Sequence, residues 1–224
     1  MSRFFIKVFV PGPFFEPLTY RSDKPIEAGL RVKAPLGSRE IVGISAGEAS
    51  EPQDLSTIKS ILEVLDDAPV IDPSHHALIR FASDYYLAPA GDLLLSSLPT
   101  AIRKGKPFPL AKTEQGQSQP PHYPLTDEQQ HAIDCVNQAS GDFQCFLLQG
   151  VTGSGKTQVF SELIRKTLER GAQVLLLVPE IGLTGQMVTR IQQQLTGTLA
   201  VSHSGLADGA RAKAFVAASQ GTAD

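Results

Sequence analysis

Apolar and polar positions come in short alternating runs over the first sixty-odd residues. RFFIKVFV is strand-like, LRVKAPLGSREIVGISAG pairs two β-rich runs across a Pro-Leu-Gly turn, and IKSILEVL follows. Short strands with Gly and Pro between them predict a small barrel or sandwich over residues 1–65. The period then lengthens. DPSHHALIRFASDYYLAP opens with Asp72 as a helix N-cap and Pro73 at the first helical position, and its apolar residues Leu78, Phe81, Ala82 and Tyr85 recur at helical spacing. A second helix is expected through GDLLLSSLPTAIRKG.

The stretch GKPFPLAKTEQGQSQPPHYP is rich in Pro, Gln and Gly and has no apolar period, so it reads as a linker. After it the texture changes. Leu125 and Thr126 precede an amphipathic helix, DEQQHAIDCVNQA, and the apolar run FQCFLLQG reads as a buried strand. A glycine-rich loop, the helix KTQVFSELIRKTLERG, a second apolar strand QVLLLVP and a further helix around GQMVTRIQQQL complete the order. Strand, loop, helix, strand in that order signals a parallel βαβ unit. The expected domains are 1–105 and 124–224, joined by a linker over 106–123.

The net charge of −3 gives no basic coat, although a few placed cations suffice to contact phosphates. No apolar run reaches the length of a membrane span. Lys7 interrupts the apolar patch of the N-terminus and no small-residue cleavage site follows, so a secretory signal is not expected. Cys135 and Cys145 are too few for a disulfide framework, stand at no zinc-motif spacing from any histidine, and Cys145 reads as a small core residue. A cytoplasmic protein is the default.

One motif carries chemistry. Gly150-Val-Thr152-Gly153-Ser154-Gly155-Lys156-Thr157 fits G-x-x-x-x-G-K-[ST] at every fixed position, between an apolar strand and a helix. The glycines let backbone N–H groups turn inward onto an anion, and the following helix adds its positive end. Lys156 would reach the β- and γ-phosphates of ATP and the Thr157 hydroxyl would ligate Mg²⁺. Hydrolysis needs a second acidic Mg²⁺ ligand on a later strand. The acidic residues after Thr157 are Glu162, Glu169, Glu180, Asp208 and Asp224, and none ends an apolar strand as Asp-Glu. Nucleotide binding without efficient turnover is therefore expected.

The stretch VPEIGLTGQM after the second apolar strand, and HSGL at 203–206, each read alone as ordinary βα loops. Together with GVTGSGKT they closely resemble the PriA family of bacterial replication-restart helicases of superfamily 2. LTDEQQHAI is similar to the entry helix of that family. The first half resembles it too, through GLRVKAPLGSREIVGI, IKSILEVLDDAPV and YYLAPAGDLLLSSLP. The resemblance implies a mixed fold, a small β-rich, barrel-like N-terminal domain with helices, linked to a partial α/β RecA-like P-loop lobe. It implies that Gln129 meets the adenine edge, and that Thr184 in the loop 179–186, with Ser204 and Gly205, contacts a DNA strand. It further implies a pocket for the 3′ end of the nascent leading strand at a stalled fork, with Gly37 lending backbone and Lys59 a positive charge. Without the resemblance, Gly37 is a turn glycine and Lys59 a solvated strand residue. ATP and Mg²⁺ are the implied cofactors. DNA, primosome proteins and single-stranded DNA-binding protein are the implied partners, no membrane is involved, and the implied location is the bacterial cytoplasm and nucleoid.

The chain departs from that family in three places. Where relatives commonly have Phe-Asp-Tyr, it has Leu18-Thr19-Tyr20, which removes a stacking face worth about 1–3 kcal/mol per base and leaves Thr19 in place of a carboxylate acceptor. A winged-helix domain is expected between the two halves and only the linker is there. The Walker B element, the zinc-binding cysteines and the second lobe are not found, so zinc is not expected, and the chain reads either as a natural short product or as one with deletions. DNA-end recognition is expected to persist, ATP binding to be weak and unwinding to be absent. Arg103, Lys104 and Lys106 form either a backbone-contacting cluster or a solvated helix end. The alternative readings are a small P-loop phosphotransferase with a regulatory β-domain, which would need an arginine-rich lid where only Arg190 and Arg211 remain, and a non-enzymatic DNA-binding module.

Overall fold

A computed structural model describes residues 4–107, 124–139, 141, 143–178 and 197–224. It divides into two units, Met1–Pro109 and Leu110–Asp224. Most of the expected linker and the expected helix around GQMVTRIQQQL lie outside the described residues. Among the described residues no helix is long and apolar enough to cross a membrane.

Unit 1 is built on five strands, β1 (Phe4–Phe9), β2 (Leu18–Ser22), β3 (Arg31–Leu36), β4 (Arg39–Ala49) and β5 (Glu63–Val64). They are ordered β2-β1-β4-β3-β5, and neighbouring strands run antiparallel. The chain leading into β5 joins the two ends of this sheet. Arg21 N–H donates to Lys59 O (2.9 Å) and Ile61 N–H to Arg21 O (2.8 Å) on the β2 side, while Leu62 N–H donates to Lys33 O (2.9 Å) on the β3 side. The sheet therefore closes into a small barrel and leaves few open edge groups. The barrel interior is filled by Ile6, Val8, Val10, Tyr20, Ile26, Leu30, Val32 and Ala34. The period-2 alternation of β1, β2 and β3 sends these residues inward. A bulge between Lys7 and Val8 opposes Gly47, whose φ of +96° favours glycine, and it adds curvature where closure needs it.

Helices α1 (Pro73–Tyr86), α2 (Ala90–Ser96) and α3 (Thr100–Arg103) complete unit 1. Asp72 caps α1 by accepting from His75 N–H at 2.8 Å, with Pro73 following as expected. Pro99 divides the single helix expected over GDLLLSSLPTAIRKG into α2 and α3. A Cβ on Gly91 would lie 2.0 Å from Val10 O, so only glycine lets α2 approach β1 this closely. The face of α1 differs from expectation. Leu78, Phe81 and Tyr85 are exposed, and the helix instead buries Ile79 and Ser83. Ser83 Oγ donates to Ala88 O at 2.7 Å, so a small satisfied hydroxyl occupies the inner face while the aromatics stack on one another outside.

Arg31 joins barrel to helices. It is 1% exposed, its guanidinium donates to both oxygens of the nearly buried Asp66, and Nη1 donates to Ile102 O (2.8 Å) and Lys106 O (2.9 Å).

Unit 2 contains α4 (Asp127–Gln138), α5 (Lys156–Glu169) and α6 (Asp208–Ser219). Thr126 and Gln129 form a reciprocal capping box at the start of α4. The apolar runs expected as buried strands, 143–150 and the described part of 173–179, are not paired into a sheet among the described residues. Phe143 is 96% exposed, Leu147, Leu175 and Leu177 are exposed with it, and Cys145 is exposed rather than core. A parallel strand is held by neighbours on both edges and helices on both faces. These runs have neither among the described residues.

Candidate functional site

The glycine-rich loop lies open to solvent at the N-terminus of α5. Gly153 (φ +84°) and Gly155 (φ +82°) take conformations that L-residues rarely adopt, and Gly155 is the residue that starts the helix. A Cβ on Gly155 would come 2.2 Å from Gln129 Nε2. Lys156 folds back, its Nζ donating to Gly150 O (2.6 Å) and Val151 O (2.9 Å). The ammonium thus satisfies loop carbonyls, and a helix start of this kind is a general anion-binding element. Gln129 serves two structures at once. Its Oε1 accepts from Thr126 N–H at 3.0 Å, and its Nε2 donates to Ser154 O at 3.3 Å. The entry helix and the loop are therefore fastened together, and Gln129, Gly150, Thr152, Gly153, Ser154, Gly155, Lys156 and Thr157 are gathered in one place. Thr157 stands in the first turn of α5. The motif is of the kind that cradles phosphates, and Thr157 is the one candidate Mg²⁺ ligand that it supplies. No group of three or more His, Cys, Asp or Glu residues converges as a metal site among the described residues.

In unit 1 the structure brings two of the expected residues into contact. Gly37 begins the two-residue hairpin turn between β3 and β4 with φ +62°, at the position where a type II′ turn takes glycine. A Cβ there would meet nothing within 4 Å, so the backbone at Gly37 is open to a ligand. Lys59, which lies 22 residues further along, donates from Nζ to Gly37 O at 2.7 Å. Lys59 belongs to the segment that closes the barrel, and closure is what carries its ammonium to the hairpin turn.

The third expected element is arranged differently. Tyr20 is 3% exposed, its hydroxyl donates to Pro35 O at 3.1 Å, and burial pushes its pKa up from the usual phenol value. Leu18 packs on the same core. The Tyr20 ring is therefore enclosed, whereas Leu18 is half-buried at the start of β2. Thr19, between them, stands across from Lys7 on the other face of the strand.

Ser204 and Gly205 are exposed in the turn before α6, where Gly205 N–H donates to His203 Nδ1 at 3.2 Å. Thr184 lies outside the described residues. Arg103 Nη2 donates to Thr100 Oγ1 at 3.2 Å, and Lys104 and Lys106 follow it at the end of α3. Sequence reasoning missed Arg31 altogether. The available signal was an arginine set between two apolar residues, Leu30 and Val32, in an alternating strand.

Residues 7–99 match the family model described as the PriA 3′ DNA-binding domain, and residues 126–219 match that of the DEAD/DEAH box helicases. The chain is similar to the replication restart protein PriA of Treponema pallidum, with 35% identity over 188 residues, 82% of this chain and 28% of the relative. It is similar to PriA of Bacillus subtilis, at 47% identity over 88 residues, 38% of this chain and 11% of the relative. It is also similar to PriA of Haemophilus influenzae, at 26% identity over 280 residues, 91% of this chain and 38% of the relative. The chain thus spans well under half of each of these relatives. Their alignments differ in kind. The Haemophilus alignment is longer than this chain, so that relative holds residues within the matched span that this chain lacks. The Treponema alignment, 188 positions for 82% of the chain, leaves no room for an inserted domain. A direct join between the two halves is therefore shared with at least one relative and does not set this chain apart from all of them.

Proposed function

The chain corresponds to the N-terminal part of PriA-type replication restart proteins, and on that premise we propose that its barrel reads the 3′ end of a DNA strand while its glycine-rich loop grips ATP. The observation that carries the reading is the contact between Lys59 Nζ and Gly37 O. A terminal nucleotide entering at the hairpin turn meets open backbone at Gly37 and a cation 2.7 Å from that carbonyl. The ammonium has further donors to give a phosphate oxygen, a charge-assisted bond stronger than a neutral one. Thr19 supplies a hydroxyl that can accept from a free 3′-OH. Tyr20 serves as packing beneath this site, through its bond to Pro35 O, rather than as a stacking face.

In unit 2, ATP binding calls for Lys156 to exchange the carbonyls of Gly150 and Val151 for phosphate oxygens, with the loop amides and the α5 N-terminus around them. Gln129 is already joined to Ser154 and is placed to hold the entry helix to the loaded loop. Mg²⁺ would neutralise phosphate charge, and Thr157 would be its ligand from this chain. We assign binding of DNA ends and of nucleotide to these residues.

The test is fluorescence anisotropy with a recessed-end fork DNA. Lys59→Ala weakens binding by about tenfold or more, because charge-assisted hydrogen bonds contribute roughly 1.5–3 kcal/mol, whereas Arg103→Ala leaves end preference unchanged. Equal affinities of wild type and Lys59→Ala would overturn the assignment.

A further inference from the structure

The two cysteines stand at no zinc-motif spacing in the linear sequence, but the fold of α4 brings one of them to a histidine. His131 and Cys135 are one helical turn apart on one exposed face, with Nε2 and Sγ 3.6 Å from each other. Zinc–sulfur and zinc–nitrogen bonds of about 2.3 and 2.0–2.1 Å, held at the tetrahedral angle, separate their donor atoms by roughly 3.5 Å. The side chains are thus already spaced as two ligands of a single ion. The surrounding charge favours a cation, since α4 carries Asp127, Glu128 and Asp134 and no Lys or Arg.

We propose that His131 and Cys135 form a surface chelate for a thiophilic divalent cation of the zinc class, separate from the nucleotide and DNA sites. Binding transfers the Cys135 thiol proton to solvent, the thiolate and the neutral imidazole Nε2 each donate a lone pair, and water fills the remaining positions. With two protein donors the ion exchanges readily, unlike one held in a closed four-ligand structural site.

The test is alkylation of the intact chain by a thiol reagent with and without zinc chloride, read at each cysteine by mass spectrometry. Cys145, exposed in the same unit, is the internal control. Zinc is expected to suppress labelling of Cys135 and spare Cys145, and His131→Ala is expected to abolish the suppression. Cobalt(II) is expected to give a thiolate-to-metal charge-transfer band that Cys135→Ser removes. Equal protection of both cysteines, protection that survives His131→Ala, or no protection at all would overturn the proposal. Both substituted positions are on the surface, so the variants retain the fold.

Discussion

Lys59 and Arg31 put the same kind of charge to opposite uses. Lys59 reaches an exposed carbonyl on a flexible stem and can be redirected by a ligand at little cost. Arg31 is enclosed, with Asp66 on one side and the carbonyls of Ile102 and Lys106 on the other. Removing one partner of such a pair leaves the other charge buried and uncompensated, so Arg31→Met is predicted to destabilise unit 1 by about 3–5 kcal/mol. A shift of the urea midpoint measured on the intact chain checks this, and a midpoint equal to that of wild type would contradict it. His76 gives a pH dependence. Burial lowers its pKa below the usual 6.5, with His75 adding to the shift, Asp72 opposing it, and Nε2 left without a partner against the Phe9 ring. The unfolded chain therefore takes up a proton before the folded one does. Stability is predicted to be full above pH 6.5 and to fall as pH drops through 6.5 toward the lower folded value. Thermal melts of wild type and His76→Phe across that window check it, the variant losing the dependence. The burial of Arg31 and His76 was not legible in the sequence, because burial of a polar side chain depends on which elements pack around it.

At the level of elements, legibility followed locality. The cap of α1 at Asp72 and Pro73, the turn at Gly37 and the glycine-rich loop were all readable, since each is fixed by residues adjacent in the chain. The face of α1 was not. Its period was correct, but the helix turns Ile79 and Ser83 inward and leaves Phe81 and Tyr85 outside. The runs 143–150 and 173–178 were readable as apolar, and among the described residues they have no strand partner, which only tertiary pairing supplies. The anion site proposed for the loop and α5 gives a prediction at this scale. Saturating ATP with Mg²⁺ raises the melting temperature of the chain, by the linkage that yields about 2.7 kcal/mol at a hundredfold excess over Kd. Lys156→Ala abolishes the rise. An identical rise in the variant would place ATP elsewhere.

For the whole molecule, a separate chemistry is proposed for each of the two units, argued from how its own residues are held. The barrel is closed by hydrogen bonds from β2 through the 59–62 segment to β3, and that closure delivers Lys59 to Gly37. A barrel of this kind was expected from short strands and turn residues. The closing segment was not, because IKSILEVL reads as one strand and in fact changes partners partway along. The alignment with the Treponema relative shows that the two halves also occur joined without an inserted domain in another chain. The barrel's role as an end reader is the central claim. It is tested most directly by anisotropy of the intact chain with recessed-end fork DNA bearing either a 3′-hydroxyl or a 3′-phosphate. Tighter binding of the hydroxyl form is predicted, with the difference lost in Thr19→Val, whose side chain cannot accept from the 3′-OH. Equal binding of the two ends by the wild-type chain would contradict it.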